Sequence, residues 1–169
     1  YYGSNYYGTV FSLEKDGSAY TDIHSFAAFT EDGRRPLMGL RAGGSELYGV
    51  TNTGGANTGG TIFTLQTDGS AYTILHNFPA SADDGYIPLY HPVIEGDRLY
   101  GMTPLSLNPS SAGLLYSMNT DGAAYTILHQ FGLQTDDGGF PVGGLLSDGS
   151  RLYGTTASGG PNYYGTIFS

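Results

Sequence analysis

The chain has no cysteine, only six basic residues and no long apolar run. Without cysteine, disulfide frameworks, thiolate metal sites and a cysteine nucleophile are excluded. Secretion is not excluded, because a repeat fold needs no covalent staples. Six Lys and Arg stand against fifteen Asp and Glu, a net charge of −9. So few scattered cations cannot track a phosphate backbone or hold an anionic membrane surface, so neither nucleic acid nor membrane binding is expected. No stretch approaches the ~18 apolar residues of a spanning helix, so no membrane insertion is expected. Catalytic signatures are missing too: there is no Gly-x-Ser-x-Gly elbow, no His-Glu-x-x-His and no phosphate loop. The chain begins at Tyr1 without a visible signal peptide and is expected to be a mature product or a fragment.

What is present leans one way: 28 Gly, 15 Tyr and 8 Phe. The glycines show no Gly-x-y period, which excludes collagen. The aromatic and β-branched residues supply enough apolar area to oppose chain entropy, which argues against disorder. Strand formers and turn formers without a 3.6-residue apolar period indicate an all-β protein.

An internal repeat organises the whole chain. Gly8-Thr9-Val10-Phe11 recurs as Gly60-Thr61-Ile62-Phe63, as Gly113-Leu114-Leu115-Tyr116 and as Gly165-Thr166-Ile167-Phe168, at spacings of 52, 53 and 52 residues. Asp16-Gly17, Tyr20-Thr21, His24, Phe26, Asp32-Gly33, Pro36 and Leu47-Tyr48-Gly49 all return in the same register. The units run about 8–59, 60–112 and 113–164, and a further one starts at 165–169. The second unit departs from the pattern near Thr103 to Gly113, where Ser106 stands for Gly54 and Gly159, and Leu114 stands for a threonine.

Each unit reads as four short antiparallel strands, seen as 142–146, 151–156, 61–66 and 71–78. Asp-Gly between alternating runs is a hairpin signal, since Gly takes φ > 0 and Asp bonds its own backbone. In the fourth strand, alternation puts Tyr72, Ile74, His76 and Phe78 on one face. Four strands per roughly 52 residues is the arithmetic of a β-propeller blade, and a lone blade cannot bury its own faces. Asn5 to Ser12 and Asn162 to Ser169 are the same piece of repeat, giving three repeats plus a duplicated strand. Three blades are too few for a ring of ~4 to 8. Either further blades of a longer chain follow, or partner copies supply them by self-association. The redundant strand favours the longer chain, because a closed assembly has no slot for it.

The composite pattern of Leu152 to Thr156, Gly159 to Asn162, Tyr164 to Phe168, Asp68-Gly69 and Tyr72 to Phe78 resembles the GloVer-type tandem repeat. The likeness covers essentially the whole chain. It implies a bacterial surface protein with varied sorting anchors, located outside the cell, and it transfers no catalytic residue.

Several residues are candidates for sites. His24, His76 and His129 recur once per unit, and packing or a backbone hydrogen bond is expected of them. His91 replaces Gly39 and Gly144 on an expected inner strand and so breaks the symmetry. Asp83, Asp84, Asp136 and Asp137 pair carboxylates in loops of the kind that suit Ca²⁺, though the full alternating loop is absent and turn formation explains them as well. The Gly/Asn loops carry Asn5, Tyr7, Asn57, Asn162 and Tyr164, whose amides and rings suit sugar hydroxyls. The reading that follows is a non-enzymatic extracellular module with a structural, adhesive or assembly role. The alternatives are a multivalent carbohydrate-binding propeller, taking surface glycans as partners, and a fragment of a propeller enzyme.

Overall fold

The computed structural model describes residues 7–27, 31–134 and 136–169; the candidate Asn5 lies outside them. Strands β1 (Thr9–Ser12) and β2 (Thr21–Ser25) form a two-stranded sheet. The next sheet holds β4 (Arg41–Gly43), β5 (Glu46–Thr51), β7 (Thr61–Gln66) and β8 (Thr73–Asn77), while β3 (Gly33–Arg34) and β6 (Thr53–Gly54) pair as a short clip. The following period repeats this: β9 (Gly85–Tyr86) pairs with β12 (Leu105–Ser106), and β10 (Val93–Glu95), β11 (Arg98–Thr103), β13 (Leu114–Asn119) and β14 (Thr126–Gln130) form a second four-stranded sheet. The last sheet contains β15 (Gly138–Ser147), β16 (Leu152–Gly159) and β17 (Ile167–Phe168). Strand pairing is antiparallel throughout, and the described residues contain no helix and form no closed barrel or ring.

The outer turns follow from the Asp-Gly pairs. Gly17, Gly69 and Gly122 sit at φ +85°, +85° and +89°. The Asp16, Asp68 and Asp121 carboxylates each accept an N–H two residues on, at 2.9 Å. The other Asp-Gly pairs have a different cause. A Cβ on Gly33, Gly85 or Gly138 would lie 2.3, 1.9 or 2.4 Å from the hydroxyl of Thr51, Thr103 or Thr156. These glycines open the clip strands because backbone and threonine touch there, not to make a hairpin.

Three apolar clusters lie between successive sheets. Val10 and Phe26 meet Phe63 and Leu65. Tyr48, Val50, Ile62 and Phe78 meet Leu99, Tyr116 and Met118. Met102, Leu115 and Phe131 meet Leu145 and Phe168. The neighbours Ile62 and Phe63 therefore serve different clusters, one on each face of β7. That strand is buried on both faces, unlike the one-sided pattern usual for antiparallel sheets. Each such fully covered side chain contributes about 1.5–3 kcal/mol.

The fourth strand departs from simple alternation. In β7–β8, Ile62 faces His76 but Phe63 faces Ile74, so Leu75 is an extra, bulged residue. The same bulge leaves Ile23 extra in β1–β2 and Leu128 extra in β13–β14. One inserted residue reverses which face the rest of a strand presents. His76 and Phe78 thus point to the following sheet, while Tyr72 reaches back to the preceding one. The expected single face of Tyr72, Ile74, His76 and Phe78 is corrected by this bulge.

Candidate functional site: the histidine–aspartate–tyrosine seams

The bulge sends two polar side chains of one strand in opposite directions, and each meets a partner at a seam between sheets. His76 Nε2 donates to Asp84 Oδ2 at 2.9 Å, and the Tyr125 hydroxyl of the next sheet donates to Asp84 Oδ1 at 2.5 Å. The His76 and Tyr125 rings stack at 4.0 Å with 13° between their planes. The Ala80 and Gly85 N–H groups fill the remaining acceptor positions of Asp84 at 2.7 and 2.8 Å. One seam earlier the group recurs: Tyr72 donates to Asp32 at 2.6 Å, its ring stacks on His24 at 3.8 Å, and His24 lies 3.4 Å from Asp32.

This geometry sets the protonation states. Burial by itself raises the Asp84 carboxyl, but hydrogen bonds from His76, Tyr125 and Ala80 outweigh it, and the group ends below the ordinary carboxylate value. Asp32 is lowered by the same balance, burial opposed by His24 and Tyr72. Tyr72 and Tyr125 move far up, through burial and then their carboxylate partners. The seam therefore holds an ionised Asp and a neutral Tyr at neutral pH.

The third seam is half built. His129 Nε2 lies 3.0 Å from Asp137 Oδ2, and the Gly132 N–H donates to the same oxygen at 3.0 Å, but no tyrosine among the described residues covers the pair. The His129 side chain is 43% exposed, against 9% for His76. A cavity of about 820 Å³ opens here, lined in part by Leu115, His129, Phe131, Asp137, Leu152 and Phe168.

The histidines pack as expected, edge-on to Phe26, Phe78 and Phe131, and in addition pair with carboxylates rather than with backbone. The Asp84 and Asp137 carboxylates, expected as candidates for Ca²⁺, pair with His76 and His129. Asp83 and Asp136 are exposed beside them, and Asp83 accepts from Asn108 at 3.3 Å. Among the described residues no three His, Asp or Glu side chains gather as a metal site. Asn57 donates to the Pro79 carbonyl at 2.8 Å and so ties its loop to the strand end. Tyr7 lies under the Arg34 guanidinium at 5.2 Å and borders the first apolar cluster. Asn162 is exposed, and Tyr164 is 91% exposed. His91 lies two residues before β10 rather than in a strand. Its Nδ1 accepts from Arg41 Nε at 3.1 Å, and its ring reaches toward Gly144. These five candidates have separate surroundings, with no shared hydrogen-bond partner.

Sequence reasoning missed the tyrosines as partners. Their signal was present: in every unit the His and the second Asp are eight residues apart, and Tyr keeps the same register.

Stacked antiparallel sheets joined by one recurring polar group define an all-β tandem-repeat protein. The chain belongs to the Gloeobacter/Verrucomicrobia repeat family, whose model matches residues 1–168, in agreement with the motif resemblance. A search of curated proteins found no match.

Proposed function

We propose that the chain is a non-enzymatic module of a secreted or surface-exposed protein, with a structural, adhesive or assembly role, whose sheets are successive blades of a β-propeller. The observation that carries this reading is the seam. At the Asp32 and Asp84 seams the repeated titratable group has its carboxylate engaged in joining adjacent sheets, which suits cohesion. Four-stranded antiparallel sheets stacked face to face support the blade reading.

The test has two arms. Chromogenic ester, glycoside, phosphate and peptide substrates are expected to show no turnover above buffer. Surface biotinylation of intact source cells is expected to label the protein. Turnover would replace this reading with that of a propeller-enzyme fragment, and an unlabelled protein would remove the surface role. A carbohydrate-binding role is favoured by the exposed rings of Tyr163 and Tyr164 beside Asn162. A glycan array without hits removes it.

A further inference from the structure

The repeat is broken at four polar positions, and the breaks meet in pairs. Strand pairing fixes the register: Arg41, Val93 and Leu146 each face the tyrosine of a Leu-Tyr-Gly run, Tyr48, Tyr100 and Tyr153. Arg41 therefore stands where the other two units carry aliphatic side chains. Glu95 stands in the register of Gly43, Ser147 in that of Ala42 and Ile94, and His91 in that of Gly39 and Gly144. The framework common to the units needs none of these polar groups, since for each of them at least one unit carries glycine or an apolar side chain instead.

Each break is bonded to another in the neighbouring unit. Arg41 of the first unit donates from Nε to His91 Nδ1 of the second at 3.1 Å, and Ser147 Oγ of the third donates to Glu95 Oε1 of the second. Accepting at Nδ1 puts the proton of the neutral His91 ring on Nε2 and holds the guanidinium by one edge. Among the described residues, the Arg41 Nη groups and Glu95 Oε2 have no protein hydrogen-bond partner, and Arg41 and Glu95 form no ion pair with each other. Both nevertheless line one cavity of about 300 Å³, whose apolar lining includes Ile94, Leu145 and Leu146. Two opposite charges thus border the same space, each held by its own anchor and each with bonding capacity left over.

From this we infer that the cavity binds a short peptide with free ends, its C-terminal carboxylate on the Arg41 Nη groups, its N-terminal ammonium on Glu95 and its side chains on Ile94 and Leu146. A ligand of single charge satisfies one of the two groups and meets a like charge at the other, whereas a zwitterion satisfies both. The spacing sets the size. Arg41 and Glu95 lie on neighbouring strands, and Glu95 is two positions beyond Val93, the counterpart of Arg41. That offset is about 6.6 Å along a strand. Two extended residues span roughly 7 Å, so a dipeptide reaches from one charge to the other where a single amino acid falls short. The cavity is separate from the histidine–aspartate–tyrosine seams, and the inference adds a binding role to the module reading without resting on it.

Nuclear magnetic resonance titration of the folded chain with alanyl-leucine tests it, with saturable shifts expected at Arg41, Ile94 and Glu95. N-acetyl-alanyl-leucine lacks the ammonium and alanyl-leucine amide lacks the carboxylate. Each should bind at least about tenfold more weakly, the change that loss of one hydrogen bond to a charged group produces. Free leucine should also bind more weakly than the dipeptide. Arg41→Val, which installs the side chain of the second unit at this register, should bind the dipeptide no better than its amide. Glu95→Gln should bind it no better than the acetylated form. His91→Gly should weaken the dipeptide severalfold, and His91→Asn, which keeps an acceptor beside Arg41, should recover most of that loss. Spectra of the unliganded variants, expected unchanged away from the cavity, exclude misfolding. No saturable shift with the dipeptide, equal binding of its three forms, or a preference for the free carboxylate that survives Arg41→Val overturns the inference and leaves the two bonds as surface contacts between units.

Discussion

Tyr125 and Asp84 belong to successive sheets and meet at 2.5 Å, with the phenol donating to a carboxylate that is 1% exposed. Removing that hydroxyl leaves the carboxylate short of a partner in a site where water cannot replace it. Tyr125→Phe is therefore expected to cost about 1.5–3 kcal/mol, the range for a hydrogen bond to a charged group. Urea unfolding at neutral pH measures it. Tyr20→Phe should leave the transition essentially unchanged, because its bond to Asp22 is exposed.

Stability should fall at both extremes of pH. Asp32 and Asp84 have lowered folded values, so the unfolded chain binds more protons as pH drops through 3.8. Their contribution is complete above that value and is lost as pH falls toward the folded one. Tyr72 and Tyr125 have raised values, so their contribution is complete below 10.0 and declines as pH rises beyond it. Thermal unfolding across pH should show both declines, one at the acid and one at the alkaline end. Tyr125→Phe should shrink the alkaline decline.

Gly85→Ala places a methyl against Thr103 and should destabilise by about 1–3 kcal/mol, as overpacking does. Gly39→Ala meets nothing within 4 Å and lies in the register where the second unit carries His91. It should be neutral, or stabilising by up to about 1 kcal/mol through loss of chain entropy in the unfolded state. Parallel denaturant titrations of the two variants separate these outcomes.

Tyr116 occupies the register of Phe63 and Phe168 and is fully buried, and its hydroxyl has no hydrogen-bond partner. Burial moves its pKa upward, with the Asp84 charge adding to the effect. An unsatisfied buried hydroxyl costs about 1–3 kcal/mol. Tyr116→Phe should raise the melting temperature, read by scanning calorimetry. A fall would mean that the hydroxyl is satisfied in solution.

The repeat spacing makes the four-strand sheet legible in the sequence, because Asp-Gly turns and Leu-Tyr-Gly runs mark the same places in each unit. The seam was not legible, for a local reason. A period-two reading assigns faces correctly only while pairing continues without insertion, and the bulges at Ile23, Leu75 and Leu128 reverse it. They turn His76 and Tyr72 toward different neighbours, and no residue type announces that reversal. The burial of Asp84 was hidden in the sequence for a related reason. Beside Asp83 and before Gly85 it looks like a solvated turn carboxylate, and only the close approach of Gly85 to Thr103 brings it inside.

The most direct test of the seam is a double-mutant cycle on His76 and Tyr125, with His76→Ala and Tyr125→Phe made singly and together and unfolding free energies measured in urea. If Asp84 ties the two residues into one unit across the sheets, the losses should be non-additive, with a coupling of about 0.5–3 kcal/mol. Losses that add within about 0.3–0.5 kcal/mol would mean that the two side chains stand near one carboxylate without holding the sheets together through it, which would contradict the account.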